Sequence, residues 1–252
     1  MSTVVDHYEQ LLARCYTWTF GTEFELKVAE QKRILIDAGF QPGGLAIDLG
    51  CGPGFQSIAL ADLGADMVCA IDLSAALLAE LAAHVEGRAI TTFRSDLTKF
   101  RQVVGAPANT IVCMGDTLTH LASENQVSVL LADVAASLIP GGLFILSWRD
   151  LSDLAVGNHF IPVRSDHERV FLCCLESGPK RVFVHDLVYE QRPDGWTFQK
   201  GSYPKLKISR SALKQMLTAC GLALRYERAD RGMTILAAHR PTEPQQGEAI
   251  TA

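Results

Sequence analysis

The stretch Leu45-Ala-Ile-Asp48-Leu49-Gly50-Cys51-Gly52-Pro53-Gly54-Phe55 decides the fold. An apolar run long enough for one buried strand leads straight into glycines at every second position, and a helical segment follows. Glycine permits a sharp turn and lets a ligand approach the backbone with no Cβ in the way. In a doubly wound sheet, the loop after the first strand is where nucleosides bind, outside the carboxyl ends of the strands. A dinucleotide fingerprint, Gly-x-Gly-x-x-Gly, would place its third glycine at position 55. Here that residue is Phe55, and the third glycine comes one place early, at Gly54. The bulky ring argues against a pyrophosphate seated on this helix, and so against a nicotinamide dinucleotide.

Outward from the loop, strands and helices alternate as far as residue 148. Residues 67–71, 89–93, 110–114 and 143–148 are short, nearly continuous apolar runs, the pattern of strands covered on both faces. Between them, Ser74 caps a helix carrying Leu77, Leu78, Leu81 and Val85. Ser123 and Gln126 form a capping box ahead of Val127, Leu130, Leu131, Val134 and Leu138. Pro140-Gly141-Gly142 then breaks the chain before the next strand. This alternation predicts an α/β fold, a doubly wound and mostly parallel sheet with right-handed crossovers.

The segment 151–208 reads differently. Residues 169–176, 181–191 and 196–208 are strand-like and are separated by Gly-Pro and Asp-Gly turns, which join antiparallel hairpins. They predict an antiparallel β insert over the main sheet, forming the acceptor pocket or a dimer surface. Ser209 caps a further helix ended by Gly221, and residues 222–227 and 233–238 pair antiparallel across a tight turn. The first 38 residues predict an N-terminal helical cap, started by Asp6 and Glu9 and carrying Tyr8, Leu11, Leu12, Cys15 and Tyr16 on one stripe. The cofactor domain is then expected over 39–150 and 209–240, and a flexible tail over 241–252.

Composition narrows the partners. Of 252 residues 48% are hydrophobic, enough for a sizeable core. Twenty-three basic against 28 acidic side chains give a net charge of −5, with no basic cluster to track a phosphate backbone, which argues against nucleic acid. No run of about 18 apolar residues spans a membrane, and the first residues do not read as a secretory signal. The seven cysteines, with no Cys-x-x-Cys pair, read as reduced thiols of a cytoplasmic protein, and no metal site is expected; His159, His167 and His185 lack ligand spacing.

Two carboxylates stand where a nucleoside would need them. Asp72 ends the second strand about 20 residues after the loop, placed to accept ribose hydroxyls, and Asp96 follows the third strand, placed to accept from an adenine amino group. Each is also a good helix cap. With these residues in order, Asp48 to Gly54, Ile71-Asp-Leu-Ser74, Ser95-Asp-Leu97 and Ile139-Pro-Gly-Gly142 resemble the successive motifs of class I S-adenosylmethionine-dependent methyltransferases. The resemblance covers roughly 40–150 and 209–240. It implies a seven-stranded sheet of order 3-2-1-4-5-7-6 with the last strand antiparallel, and S-adenosyl-L-methionine held by Asp48, Gly50, Gly52, Gly54, Asp72, Leu73, Asp96, Leu97, Met114 and Gly115.

A narrower resemblance links Gly115-Asp-Thr117, His120-Leu and Arg149-Asp150 to the glycine and sarcosine N-methyltransferase group. That group has Gly-Asn-Ser and Arg-Asn-Tyr where this chain has Gly115-Asp116-Thr117 and Arg149-Asp150-Leu151. It implies methylation of an amine or amino-acid-like nitrogen on a small-molecule acceptor, with Arg149 gripping a substrate carboxylate. A structural ion pair of Arg149 with Asp150 or Asp116 is the alternative. His120, Arg149 and Tyr203 are the candidate catalytic residues. Tyr16 and Trp18 either close over the methyl donor or simply pack. Small-molecule O-methylation, and a non-catalytic cofactor-binding subunit, are the competing functions; a homodimer is compatible with the insert.

Overall fold

The computed structural model describes His7 and residues 11–242. The chain forms strands β1 (Leu45–Leu49), β2 (Met67–Asp72), β3 (Ile90–Arg94), β4 (Ala108–Cys113) and β5 (Leu138–Trp148). It continues with β6 (Gly157–Ser165), β7 (Arg169–Ser177), β8 (Arg181–Arg192) and β9 (Gly195–Leu206), and ends with β10 (Ala223–Asp230) and β11 (Met233–His239). One sheet runs β3-β2-β1-β4-β5-β11-β10, which is the expected 3-2-1-4-5-7-6. Its strands are parallel except β11, which is antiparallel to both neighbours. The second sheet, β6-β7-β8-β9, is wholly antiparallel.

Helices are α1 (Tyr16–Thr19), α2 (Phe24–Asp37), α3 (Phe55–Asp62), α4 (Ala75–Ala82), α5 (Phe100–Val104), α6 (Glu124–Ser137) and α7 (Arg210–Ala219). Side chains of the large sheet alternate between two cores because strand Cβ atoms alternate between faces. Ile47, Leu49, Ile71, Ile111, Phe144 and Trp148 pack with α6 and α7. Ala46, Val68, Ala70, Val112 and Ile145 pack with α2, α3 and α4. Asp48 shares that second face and so lies beneath α3. A third core joins Leu11, Leu12 and Trp18 to Phe171, Leu175, Val184 and Tyr203 on the inner face of the small sheet. Fully buried Trp148 donates from Nε1 to the Ile208 carbonyl at 3.0 Å, tying β5 to the chain returning from the insert.

The helix caps at Ser74, Ser123 and Ser209 form as read, each hydroxyl accepting an N–H of the first turn. Three expectations change. Pro140-Gly141-Gly142 does not precede β5 but lies within it: pairing passes from Ala108–Leu138 to Thr110–Leu143, so extra residues bulge out of the strand. A Cβ on Gly142 would sit 2.9 Å from the Ile139 carbonyl oxygen, which explains the glycine. The insert has a fourth strand, β6, whose pairing is irregular at Pro162; edge strands tolerate such a proline. The N-terminal segment is helical only in pieces, with α1 and α2 separated around Gly21 at φ +66°. Asp6, Tyr8 and Glu9, the expected start of the cap, and most of the expected tail lie outside the described residues.

Gly54 connects the loop to the core: its φ is +94°, and a Cβ there would fall 2.2 Å from Cδ1 of fully buried Leu81. Gly54→Ala is therefore expected to cost about 1–3 kcal/mol of unfolding free energy, measured from the urea midpoint. An unchanged midpoint would mean that Leu81 moves aside freely.

Candidate active site

The loop after β1 is shaped by three glycines with three different constraints. Gly50 and Cys51 both donate to the Ile71 carbonyl, at 2.8 and 3.0 Å, which binds the loop to the end of β2. A Cβ on Gly50 would overlap Thr117 Cγ2 at 2.2 Å, and Gly54 meets Leu81 as described. Gly52, at φ +54°, meets only the Tyr16 ring, 3.9 Å from where its Cβ would be. Packing therefore accounts for Gly50 and Gly54, whereas a Cβ at Gly52 would find room, with its φ in the left-handed region.

Asp72 stands at the end of β2, half-buried. Its Oδ2 accepts the Gly52 N–H at 2.8 Å, and its Oδ1 accepts the Ser74 N–H at 2.8 Å. Beside it Leu73 is exposed. Asp96 caps the short 3₁₀ turn Leu97–Lys99, with Oδ1 accepting from Thr98 N–H at 2.9 Å and Thr98 hydroxyl at 2.8 Å. Beneath the loop, Asp48 is 1% exposed and accepts the Ser57 hydroxyl at 2.6 Å. Burial pushes its carboxyl up to about 7, the Ser57 hydroxyl opposes this, and the Asp72 charge adds to it.

A second group gathers where β4 ends. Met114 is buried, and Gly115 is exposed with nothing within 4 Å of a Cβ position. Gly115 donates to the Ser147 hydroxyl at 2.9 Å. Asp116 follows in the left-handed region at φ 74° and is buried. Its Oδ1 accepts from Arg149 N–H at 3.1 Å and Thr119 hydroxyl at 3.0 Å, while its Oδ2 lies 2.5 Å from Lys205 Nζ. Burial opposes ionisation of Asp116, but the charge and hydrogen bond of Lys205 outweigh it and hold the carboxyl below its usual range. The His120 ring lies 5.2 Å from the ring of buried Tyr203, and His7 lies 4.6 Å from Tyr203 on its other contact. Burial and then the Lys205 charge push His120 down to about 3, so its ring is neutral at physiological pH. His7 also meets Asp186 at 2.8 Å, over Gly201, where any Cβ would collide with the imidazole.

Tyr16 links the two groups. Burial, then the charges of Asp72, Asp116 and Glu80, keep the proton on its phenol. Its helix is pinned by a Thr17–Glu80 hydrogen bond, and its ring meets Phe20, which meets Phe55 edge-on. Trp18, the other aromatic singled out, turns away to the insert: Nε1 donates to Asp166 at 2.8 Å, and the Arg164 guanidinium lies 4.7 Å above its ring. The pair thus divides, one ring against the loop after β1 and one packing the cap onto the insert.

Arg149 follows directly on β5. Its side chain is exposed, and Nη1 would lie 3.3 Å from a Cβ on Gly232, in the β10–β11 turn. It pairs with neither Asp150 nor the Asp116 carboxylate: Asp150 accepts from Ser152 and from Arg210 N–H, and Asp116 takes Lys205. The cation beside His120 and Tyr203 is Lys205, which sequence reading passed over. The available signal was the strand period of two, which puts Gly201, Tyr203 and Lys205 on one face of β9.

Residues 46–142 match the family described as a methyltransferase domain. This stretch is similar to methyltransferase domains. The glycine/sarcosine N-methyltransferase of Parasynechococcus marenigrum (strain WH8102) is 27% identical over 185 residues, 70% of this chain and 64% of that relative, so the match spans less than two thirds of its length. The CcbJ methyltransferase of Streptomyces caelestis has the same fold, with TM-score 0.76 at 20% identity over 93% of this chain and 98% of its own. S-adenosylmethionine-bound CalS10, an amino pentose methyltransferase from Micromonospora echinaspora, gives 0.73 at 17% identity over 90% and 95%. The chain has the class I S-adenosylmethionine-dependent methyltransferase architecture.

The cofactor of such a domain fits the residues present. There is room beside the backbone at Gly52 and at exposed Gly115, a carboxylate stands at the end of β2, and an apolar side chain is exposed next to it. A nucleoside bearing a polar amino-acid chain needs that combination of surfaces. Among the described residues, no cluster of His, Cys, Asp and Glu could hold a metal, and no helix is long and apolar enough to cross a membrane.

The raised Asp48 carboxyl has a consequence for stability. The folded protein keeps this proton to about pH 7, whereas the unfolded chain loses it near pH 4. Between those values the native state binds more protons, so rising pH removes stability, by up to a few kcal/mol at about 1.4 kcal/mol per unit. Asp48→Asn keeps an acceptor for Ser57 without the titration. Its stability relative to the native sequence should improve steadily from pH 4 to pH 7, read from urea midpoints. A difference constant across that range would mean Asp48 is ionised throughout.

Proposed function

We propose that the protein transfers a methyl group from S-adenosyl-L-methionine to a nitrogen of a small amine or amino-acid-like acceptor, bound under the insert beside Tyr16, His120 and Tyr203. One observation carries the choice of nitrogen: of the described residues at the proposed acceptor side, His120, Tyr16 and Asp116 are none of them poised to take a proton at neutral pH. His120 is held neutral with very low proton affinity, the Tyr16 phenol keeps its proton, and Asp116 already accepts from three donors. A neutral amine attacks with its own lone pair and needs no base, whereas a hydroxyl acceptor needs its proton removed. The names of the matched proteins point the same way, to glycine or sarcosine nitrogen in one and an amino pentose in the other.

When bound, the cofactor supplies a methyl group already activated on sulfonium, so the chain's task is orientation and exclusion of water. Asp72 holds the ribose hydroxyls, Leu73 and Leu97 flank the base, and Asp96 accepts from its amino group. Gly52 admits the methionyl part along its backbone, with Gly50 and Gly54 setting the loop, Asp48 supporting it from below, and Met114 and Gly115 forming the floor towards the acceptor. Tyr16 covers the junction between cofactor and acceptor. Neutral His120 accepts or donates one hydrogen bond to orient the acceptor, and Tyr203 walls it in. The insert, within 151–208, sets which acceptor fits.

Turnover to S-adenosylhomocysteine with a panel of amines and alcohols tests the reading; methylation confined to alcohols would overturn it. Calorimetry tests the cofactor contacts. Asp72→Ala removes charge-assisted bonds worth roughly 1.5–3 kcal/mol, so cofactor affinity should fall about ten- to a hundredfold in a folded protein. An unchanged Kd would remove Asp72 from the site. Gly52→Val should also fold yet fail to bind, because its branched side chain enters the cleft.

A further inference from the structure

We infer that the outer face of the small sheet packs against a second copy of this chain, so that two β6–β9 sheets form a sandwich. The inference is independent of the acceptor and of the reaction. It starts from β8, Arg181-Val-Phe-Val-His-Asp-Leu-Val-Tyr-Glu190. A strand with one wet face alternates apolar with polar residues, whereas a strand covered on both faces is apolar at both parities. β8 is of the second kind: Val182, Val184 and Val188 point one way, and Phe183, Leu187 and Tyr189 the other. Among the described residues, only the first set is covered. Val182, Val184 and Val188 join the core beneath the cap, with Phe171 and Tyr203. Phe183, Leu187 and Tyr189 belong to none of the three cores and stay partly exposed.

Strand register extends the second set into a continuous face. Leu187 lies between Leu172 of β7 and Lys200 of β9, and Tyr189 lies between Val170 and Phe198, whose ring it meets at 4.8 Å. On the edge strand β6, Phe160 stands opposite Cys174 and is 70% exposed; on β9, Trp196 and Phe198 are each 53% exposed. Four strands paired over about nine residues, at ~4.8 Å spacing and ~3.3 Å rise, give a face of roughly 570 Å² before side-chain relief is counted. Monomers rarely leave an apolar patch of that size uncovered. With the relief of its rings the face approaches the ~800 Å² that each partner contributes to a standard interface, and face-to-face packing is how sheets cover one another. Charge selects the occupant. Glu176, 60% exposed, meets His185 at 3.0 Å, and Lys200, on the same face, has no ion-pair partner among the described residues. In a two-fold contact every pairing occurs twice, so Lys200 of each copy reaches Glu176 of the other and the face neutralises itself. A lipid surface fits less well, because it would bury the Glu176–His185 pair and the chain is net acidic, at −5. The period of two thus lets one sheet serve twice. Its inner face, with Tyr203 and Lys205, meets the cap and Asp116, and its outer face takes the other copy.

Sedimentation velocity of the full chain over a dilution series tests this, and a dimer with a dissociation constant of about 1 μM or below is expected. Phe198→Glu puts a charge into the apolar contact and should weaken dimerisation about thirtyfold or more, as loss of an aromatic anchor does. Lys200→Glu sets like charges against Glu176 of the other copy and should weaken it about tenfold. The double variant E176K/K200E exchanges the two signs and should recover most of that loss, which only contact between the two positions explains. Phe198 and Lys200 are both exposed, so each single variant should fold. Circular dichroism at a dilution where the native chain is monomeric checks this, and K200E carries the test where F198E does not fold. Co-sedimentation with vesicles of phosphatidylcholine and phosphatidylserine reads out the lipid alternative. A native chain that stays monomeric at about 100 μM overturns the inference. So does a dimer indifferent to both single variants, or vesicle binding that F198E abolishes.

Discussion

A single carboxylate holds the business edge of this molecule together. Asp72 bridges two backbone N–H groups, from Gly52 in the loop after β1 and from Ser74 at the start of α4. Charge-assisted bonds of this kind are roughly twice as strong as neutral ones. They join two loops that leave adjacent parallel strands, and they do so at the crevice where doubly wound sheets bind ligands. The Ile71 carbonyl reinforces the same junction by accepting from Gly50 and Cys51. Only with the loop fixed in this way do the positive φ angles of its glycines become a shape with a purpose rather than slack in the chain.

The cap and the insert depend on that junction in turn. Tyr16 lies against Gly52, Thr17 reaches Glu80 on α4, and Trp18 docks onto Asp166 and Arg164 of the insert. Thus one short run of chain touches the loop after β1, the helix after β2 and the small sheet. His7 adds a buried contact with Asp186 over Gly201. Cover of this kind would exclude water from the proposed methyl-transfer site, where electrostatic interactions strengthen as solvent leaves.

The large sheet was readable because parallel strands buried on both faces leave continuous apolar runs, and Ser74, Ser123 and Ser209 marked the helix starts beside them. The small sheet was readable only where Gly-Pro and Asp-Gly turns separated its strands. β6 escaped because its residues are mostly exposed, with Phe160 70% accessible and Pro162 at an irregular pairing, so neither burial nor period announced a strand. Within β5, Pro140 to Gly142 read as a break because those residue types usually end a strand; here the strand absorbs them as a bulge. The acceptor side was hidden for a different reason. Asp116 and Lys205 are 89 positions apart and meet only when the insert folds back over β4. No local pattern reports such a contact, whereas Arg149 was legible because it adjoins the end of a readable strand.

The electrostatics of the acceptor side form one consistent arrangement. Asp116 is ionised, and Lys205 is the charge that makes ionisation tolerable in a buried place. The same ammonium, acting with burial, denies a proton to His120, even though the Asp116 carboxylate pulls the other way. Among the described residues, Asp116, Lys205, His120, Tyr16 and Tyr203 thus bring together one charge of each sign, a neutral imidazole and two phenols. On the proposed reading, an amine entering such a site would leave water, and desolvation disfavours its ammonium form. Lys205 adds repulsion to that, in proportion to how closely the nitrogen approaches it. Both effects favour the neutral amine, which is the form with a lone pair to give. On the proposed reading, with no general base among these residues, discouraging the acceptor's own protonation is the route left for making it a nucleophile.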